Sequence, residues 1–269
     1  VMQEISGEDW EKYWTKVKAH KAADGHGMHV DLIKAIKAKV LNGKEGEESA
    51  KECLTGQVFE DLRHMINVCI KTGMVYDNWK LEVLCTIEKV PGSAALCDVR
   101  PIGLLAILRN GMMGIQAQKI TAFWKKTKLL SEKAYGFVPG RQIDELRLVI
   151  NTVLEQAYLQ KRPIASATLD QSKCFDSYLQ GCFELASRRL ALPEEWIDLD
   201  AALNEQAVTK VRFAYGLTPG FKRGRKLNSI TGMLEGTSQG AAQGGTDSAS
   251  PKFVAVQDMI NTLWEKLRT

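Results

Sequence analysis

Residues 168–176 (TLDQSKCFD) carry the residue types and spacing of a nucleotidyl-transfer site. The small-residue run 164–169 predicts a buried strand, which would place Asp170 at its end and Phe175 in the first turn of the following helix. A carboxylate on a rigid strand end can hold a hard cation, and two such cations can clamp the attacking and leaving oxygens. An aromatic ring one turn later can lie beneath a nucleotide sugar and exclude a 2′-hydroxyl. An aspartate that only caps the next helix is the alternative interpretation.

Further segments stand in a fixed order around this motif. Lys89, the RPI segment at 100–102 and GFVPGR at 136–141 precede it, and QGAAQGGTDSASP at 239–251 follows it. Together they resemble the reverse transcriptases of non-LTR retrotransposons and group II introns. That family has a fingers Lys, then RPI, GF…GR, LDxxxAFD and QGxxxSP segments, the last leading into a helix. The resemblance extends over about residues 79–260 and implies RNA-directed DNA polymerase activity.

The resemblance implies a role for each matching residue. Asp170 is expected to be the catalytic, metal-binding carboxylate and Phe175 the sugar gate, with Asp176 a weaker candidate at the start of the helix. Lys89 and Arg100 are expected at the triphosphate, because an ammonium and a guanidinium fork both suit phosphate. The Gln-Gly loop is expected to approach the nucleotide closely at Gln243 and Gly244 (or Gly240). Arg141 is expected to contact the template backbone.

Two departures from the family pattern bear on activity. Gln-Gly pairs at 239–240 and 243–244 both match, but neither reaches the Ser-Pro pair at 250–251 with the usual spacing. No aromatic-x-Asp-Asp hairpin follows before Thr269. Two divalent cations about 4 Å apart repel by roughly 17 kcal/mol at an effective dielectric constant near 20, which one carboxylate cannot offset. We therefore expect Mg²⁺ only where a partner or a further segment completes the site, and no polymerisation by this chain alone.

The elements that position these residues are helices mixed with a few strands without a regular βαβ pattern, which indicates an α+β fold. The resemblance implies the fingers and partial palm of a right-hand polymerase, mostly helical with a small antiparallel sheet. The predicted domains are a helical leader over 1–78, fingers over 79–163 and a partial palm over 164–269. Periodicity and turn residues predict helices over 7–20, 28–40, 59–71, 102–124, 143–160, 174–191, from 193, and 251–267. Strands are predicted over 79–90, 164–169 and, as an edge strand, 208–215.

Composition is that of an ordinary globular protein, with 45% hydrophobic and 25% charged residues and a net charge of +4. Basic clusters at 34–39, 124–128 and 222–226 each indicate a solvated face more often than a phosphate track. Six scattered cysteines without a CxxC pair predict reduced thiols in an intracellular protein. No apolar run approaches the length of a membrane span. Histidines at 20, 26 and 29 lack the Cys or carboxylate set of a metal site, so we predict a polar loop there.

Two functions from different classes fit these observations. One is a piece or half of a reverse transcriptase that binds RNA template and primer, with a second chain completing its palm. The other is a non-catalytic, retroelement-derived subunit that supports or contacts RNA within a larger assembly. The order of the motifs favours the first, whereas the missing hairpin and altered Gln-Gly loop favour the second. A small-molecule enzyme is a distant third, because the sequence has no Walker loop, GxGxxG or GxSxG.

Overall fold

The computed structural model describes residues 4–41, 49–92, 98–132, 135, 136, 138, 140–166, 180–222, 226–227, 234–235 and 253–268. Within this part of the chain the fold is mixed and mostly helical, which confirms the α+β class. The helices are α1 (Gly7–Lys16), α2 (Val30–Leu41), α3 (Ser49–Thr72), α4 (Ile107–Thr127), α5 (Ile143–Leu159), α6 (Gln180–Arg189), α7 (Glu194–Asn204) and α8 (Phe253–Arg268). The strands are β1 (Leu81–Glu88), β2 (Val99–Leu104), β3 (Val208–Phe213), β4 (Gly216–Leu217), β5 (Lys226–Leu227) and β6 (Leu234–Glu235). None of these helices is long and apolar enough to cross a membrane.

Aromatic side chains of α1 hold the N-terminal helices against α4. Trp10 and Trp14 are fully buried and meet edge to face, with ring centroids 5.3 Å apart. The Trp10 indole N–H donates to the carbonyl of Phe59 in α3 over 3.1 Å. On α4, a Cβ added to Gly111 would lie 2.6 Å from the Trp14 ring, and one added to Gly114 would lie 2.7 Å from the Tyr13 hydroxyl. These two glycines therefore let α1 approach α4 closely.

A buried aspartate links the first loop to the start of α4. Asp24 is 4% exposed, and its Oδ1 accepts the backbone N–H groups of His26 and Met28. Its Oδ2 accepts the N–H of Ile107, the first residue of α4, over 3.1 Å. A carboxylate there satisfies one of the unpaired N–H groups at a helix start and interacts favourably with the helix dipole. The loop predicted around the histidines is thus tied to the helix that follows the sheet.

The main sheet has four strands in the order β2-β1-β3-β4. β1 pairs antiparallel with β2 and parallel with β3, and β3 pairs antiparallel with β4. The predicted antiparallel sheet is therefore wrong in this respect, and the observed sheet is mixed. The described part of the connection from β1 to β3 contains β2 and four helices, long enough for β3 to return in the same direction as β1. A second sheet pairs β5 with β6.

Two local predictions are wrong, and a third is wrong over its first three residues. Residues 102–104 were expected at the start of a helix but belong to β2, where Pro101 biases Arg100 to extended backbone. Residues 208–213 form an interior strand and not an edge, because β3 lies between β1 and β4 and buries Thr209 against Glu82. Residues 164–166 do not form a strand, and residues 167–169 lie outside the described residues.

One buried cluster draws side chains from every predicted domain. It includes Trp10 and Ile66 from residues 1–78, Trp124 from 79–163, and Trp196 and Val256 from 164–269. Each of these five side chains is at most 3% exposed. The domain boundaries stay a prediction, since a shared core neither requires nor excludes them.

Helix α5 differs from the other helices because none of its side chains is buried. It begins at a capping box between Gln142 and Glu145, at the residue where the sequence predicted it. Among its exposed large apolar side chains, Tyr158 is 84% and Leu159 78% exposed. Residues of this kind spaced at helical periodicity usually mark a surface that another chain or segment covers.

Candidate nucleic-acid interface

The β1–β2 hairpin brings two of the predicted nucleotide-binding residues together. Arg100 pairs with Ile87 across the two strands, and the Lys89 N–H donates to the carbonyl of Asp98 over 2.6 Å. Directly opposed residues share a face of the sheet, and so do residues two apart along a strand. Lys89 and Arg100 are therefore diagonal neighbours on one face, and such neighbours typically lie about 7–8 Å apart.

This end of the hairpin projects into solvent. Residues 86–90 and Arg100 are exposed, whereas Val83 near the start of β1 is completely buried. The Glu88 carboxylate accepts the backbone N–H of Gly92, in the turn that follows β1, over 3.1 Å. Being one position from Lys89, Glu88 lies on the opposite face of the strand. The face that carries Lys89 and Arg100 thus presents an ammonium and a guanidinium beside the exposed Ile87, and the carboxylate of Asp98, opposite Lys89, lies on the same face.

Arg141 lies elsewhere, in the loop that packs against the C-terminal end of α4. Its guanidinium donates to the carbonyls of Ser131 and Glu132 over 2.8 and 2.9 Å and lies 5.7 Å from the centroid of the Tyr135 ring. β2 leads into the opposite end of α4, a helix of 21 residues and therefore about 31 Å long. The described contacts of Arg141 hold the loop together, and none of them places it with Lys89 and Arg100.

A cavity of about 350 Å³ lies between this loop and the end of α4. Its buried floor includes Trp124, whose indole N–H donates to the carbonyl of Leu190 over 3.1 Å. Its rim carries the cations of Lys125 and Lys128 from the basic cluster at 124–128. The other lining residues are Thr121, Leu130, Glu132, Val138, Gly140 and Arg141.

An ion pair with a buried carboxylate anchors the loop to the last helix. Asp258 of α8 is 1% exposed, and its Oδ1 accepts the N–H of Ser131 over 2.6 Å. Its Oδ2 pairs with the Arg189 guanidinium of α6, which also donates to the hydroxyl of Thr262 over 2.6 Å. The loop that carries Arg141 is therefore fixed to two helices that lie far along the chain.

The remaining predicted site residues are Asp170, Phe175, Gln243 and Gly244, and all four lie outside the described residues. Within the described residues, no group of three or more His, Cys, Asp or Glu side chains could hold a metal ion. The metal-binding and sugar-gate roles of Asp170 and Phe175 therefore stay predictions from the resemblance.

Sequence reasoning did not predict that Lys125 and Lys128 line a cavity, since the cluster at 124–128 was interpreted as a solvated face. The sequence did carry a signal for this position. The cluster ends a helix of mostly buried residues and is followed by the segment that carries GFVPGR, so its lysines lie close in sequence to a matching motif. It also missed Asp258, because a single aspartate in an amphipathic helix gives no indication of a partner 127 residues away.

No protein-family model matches this sequence, and a search of curated proteins finds none that is significantly similar to it.

Proposed function

We propose that this chain is the nucleotide-binding fingers and partial palm of a reverse-transcriptase-like polymerase. The observation that supports this most is the pairing of Lys89 and Arg100 as diagonal neighbours on the exposed face of the β1–β2 hairpin. The resemblance implies that both residues contact the triphosphate of the incoming nucleotide. A strand register shifted by one residue would have put them on opposite faces.

The chemistry of the pair suits a polyphosphate. The planar guanidinium of Arg100 can donate two parallel hydrogen bonds to one phosphate, whereas the ammonium of Lys89 acts as a compact charge. A hydrogen bond to a charged group contributes about 1.5–3 kcal/mol, although exposure of both side chains reduces that value. Loss of either cation should therefore weaken triphosphate binding by about fivefold to tenfold.

Mg²⁺ is the cofactor that this proposal implies, with Asp170 as its ligand in this chain. The ion would neutralise charge on the phosphates and hold them in place. The hairpin cations act on the same phosphates from the side of the fingers, so their contribution can be measured separately from the metal site.

A non-catalytic subunit of a larger assembly is the second candidate function, and α5 favours it. This helix presents Ile143, Leu148 and Tyr158 with at least 64% of each side chain exposed. An apolar helix surface of this kind suits permanent contact with another protein. In that case RNA contact by the basic residues would serve attachment, and the hairpin would not distinguish a triphosphate from a monophosphate.

Titration with a fluorescent 2′-deoxyadenosine triphosphate in the presence of Mg²⁺ tests the proposal. We expect the wild-type chain to bind the triphosphate more tightly than the monophosphate, and Lys89→Ala and Arg100→Ala each to lower triphosphate affinity by about fivefold to tenfold. Lys21→Ala and Arg162→Ala remove cations of the same type from other exposed positions and should have little effect. Equal affinity for both nucleotides, or equal losses in the control variants, would contradict the proposal and support the second candidate.

A further inference from the structure

The cavity at the end of α4 combines an apolar floor with a cationic rim. Trp124 is 1% exposed and forms part of the floor, and the side chains of Leu130 and Val138 also line the cavity. Lys125 and Lys128 stand at the rim, both exposed to solvent. A volume of about 350 Å³ lies at the lower end of the range for small-molecule pockets, which is large enough for a single nucleotide unit.

The loop side of the cavity is shaped by glycine and arginine. Gly140 has a φ of +83°, which side chains rarely adopt, and a Cβ added there would lie 3.6 Å from the Lys125 ammonium. That ammonium therefore reaches across the cavity to the loop backbone. The Arg141 guanidinium closes the loop by donating to the Ser131 and Glu132 carbonyls. These two contacts use the N–H groups of one guanidinium nitrogen and hold Arg141 against the loop backbone.

We propose that this cavity binds one nucleotide of a single-stranded nucleic acid, with the phosphodiester on Lys125 and Lys128 and the base over the apolar floor. Arg141 is a positioning residue in this assignment, since it builds the wall and does not touch the strand. The proposal rests on the proposed function for its choice of ligand class. It replaces the template contact expected at Arg141 with two lysines of the basic cluster at 124–128, which the sequence indicated as a solvated face.

The charge of the lining favours an anion. Lys125, Lys128 and Arg141 supply three cations against the one carboxylate of Glu132. The C-terminal end of α4 adds partial negative charge, so cations there also stabilise the helix, and a purely structural role has to be separated from binding. Lys126 makes the separation possible, because it lies in the same last turn of α4 but does not line the cavity.

The test is fluorescence anisotropy of a short single-stranded oligouridine RNA, measured over a series of salt concentrations. We expect Lys125→Ala and Lys128→Ala each to weaken binding about threefold to tenfold at low salt and to reduce the salt slope by about 0.7. Lys126→Ala should leave both quantities within error of the wild type. Arg141→Lys keeps the charge but loses the planar fork. We expect it to lower the melting temperature and to weaken binding, while the salt slope changes by less than the value of about 0.7 that one phosphate contact contributes.

Several outcomes separate this proposal from its alternatives. An effect of Lys126→Ala equal to that of Lys125→Ala would overturn it, because the charge of the helix end would then be the whole cause. Competition by inorganic phosphate as effective as oligouridine would also overturn it, since the cavity would bind a free ion and not a strand. Oligothymidine competing as well as oligouridine supports the shared phosphodiester chemistry. If Lys125→Ala and Lys128→Ala leave RNA binding unchanged while triphosphate binding still depends on Lys89, the proposed nucleotide site in the cavity is refuted. The proposed function would then still stand.

Discussion

Substitution of Asp258 by Asn is expected to release the loop that carries Arg141 from helices α6 and α8. Asp258 is 1% exposed and accepts the Ser131 N–H while it pairs with Arg189. Removal of one partner from a buried ion pair costs about 3–5 kcal/mol. The Arg189 side chain is 37% exposed and keeps its hydrogen bond to Thr262, so water offsets part of that loss. We expect the free energy of unfolding to fall by about 2–3 kcal/mol.

Thermal unfolding followed by circular dichroism measures this loss. For a domain of this size, about 1 kcal/mol corresponds to roughly 2–4 °C, so Asp258→Asn should lower the melting temperature by about 5–10 °C. Asp198→Asn, an exposed aspartate on α7, is the matched control and should change it little. The Asp258→Asn/Arg189→Met double variant should lose less than the sum of the two single losses. A melting temperature within 2 °C of wild type, or strictly additive losses, would refute the ion pair as the anchor.

Two further predictions concern a tyrosine and the motif at residues 168–176, which lies outside the described residues. Burial raises the pKa of Tyr13 to about 12, above its ordinary value. The neutral tyrosine therefore stabilises the fold fully below pH 10. The free energy of unfolding falls by about 2–3 kcal/mol as the pH rises from 10 to 12. In urea titrations, the free energy of unfolding of Tyr13→Phe should therefore fall less with rising alkaline pH than that of wild type. Tyr215→Phe, a fully exposed position, should follow wild type. An equal pH dependence for Tyr13→Phe and wild type would contradict the pKa shift. In primer extension by a form completed with an aromatic-x-Asp-Asp hairpin and thumb, we expect Asp170→Asn to abolish extension, because the amide lacks the charge that holds the cation. Phe175→Ala should instead keep extension and admit ribonucleotides, and activity retained by Asp170→Asn would show that Asp170 is not a metal ligand.

Elements with strong local signals were predictable from the sequence. Helix α5 begins at Ile143, as predicted, because Gln142 and Glu145 form a capping box and apolar residues follow at helical spacing. Strand β1 was predicted from the apolar residues at 79–90. The turn at Pro91-Gly92 made the hairpin plausible, but its register, which places Lys89 beside Arg100, is a property of the pairing between strands.

Features that depend on distant partners were not predictable. Residues 102–104 have helix-compatible neighbours, and only their pairing with β1 makes them a strand. Alternation of apolar and polar residues in β3 indicates that one face of the strand is covered. It carries no information on whether both edges of the strand are paired, so the parallel pairing of β3 with β1 could not be predicted. Likewise, the lysines at 125 and 128 become part of a cavity only because Leu130, Glu132 and Arg141, which follow α4 in the chain, lie beside its end.

Lysine acetylation footprinting with deoxyadenosine triphosphate and Mg²⁺ tests the central claim most directly. Each exposed lysine reacts at a rate that a bound phosphate lowers, and mass spectrometry assigns every modified position in one experiment. The account predicts that the triphosphate protects Lys89, that the monophosphate protects it far less, and that Lys21 reacts equally in all samples. Protection of Lys89 should require about fivefold to tenfold more triphosphate in the Arg100→Ala variant, because the two cations hold the same phosphates. Unchanged reactivity of Lys89 at saturating triphosphate, or equal protection of Lys21, would contradict the assignment of the β1–β2 hairpin as a nucleotide-binding site.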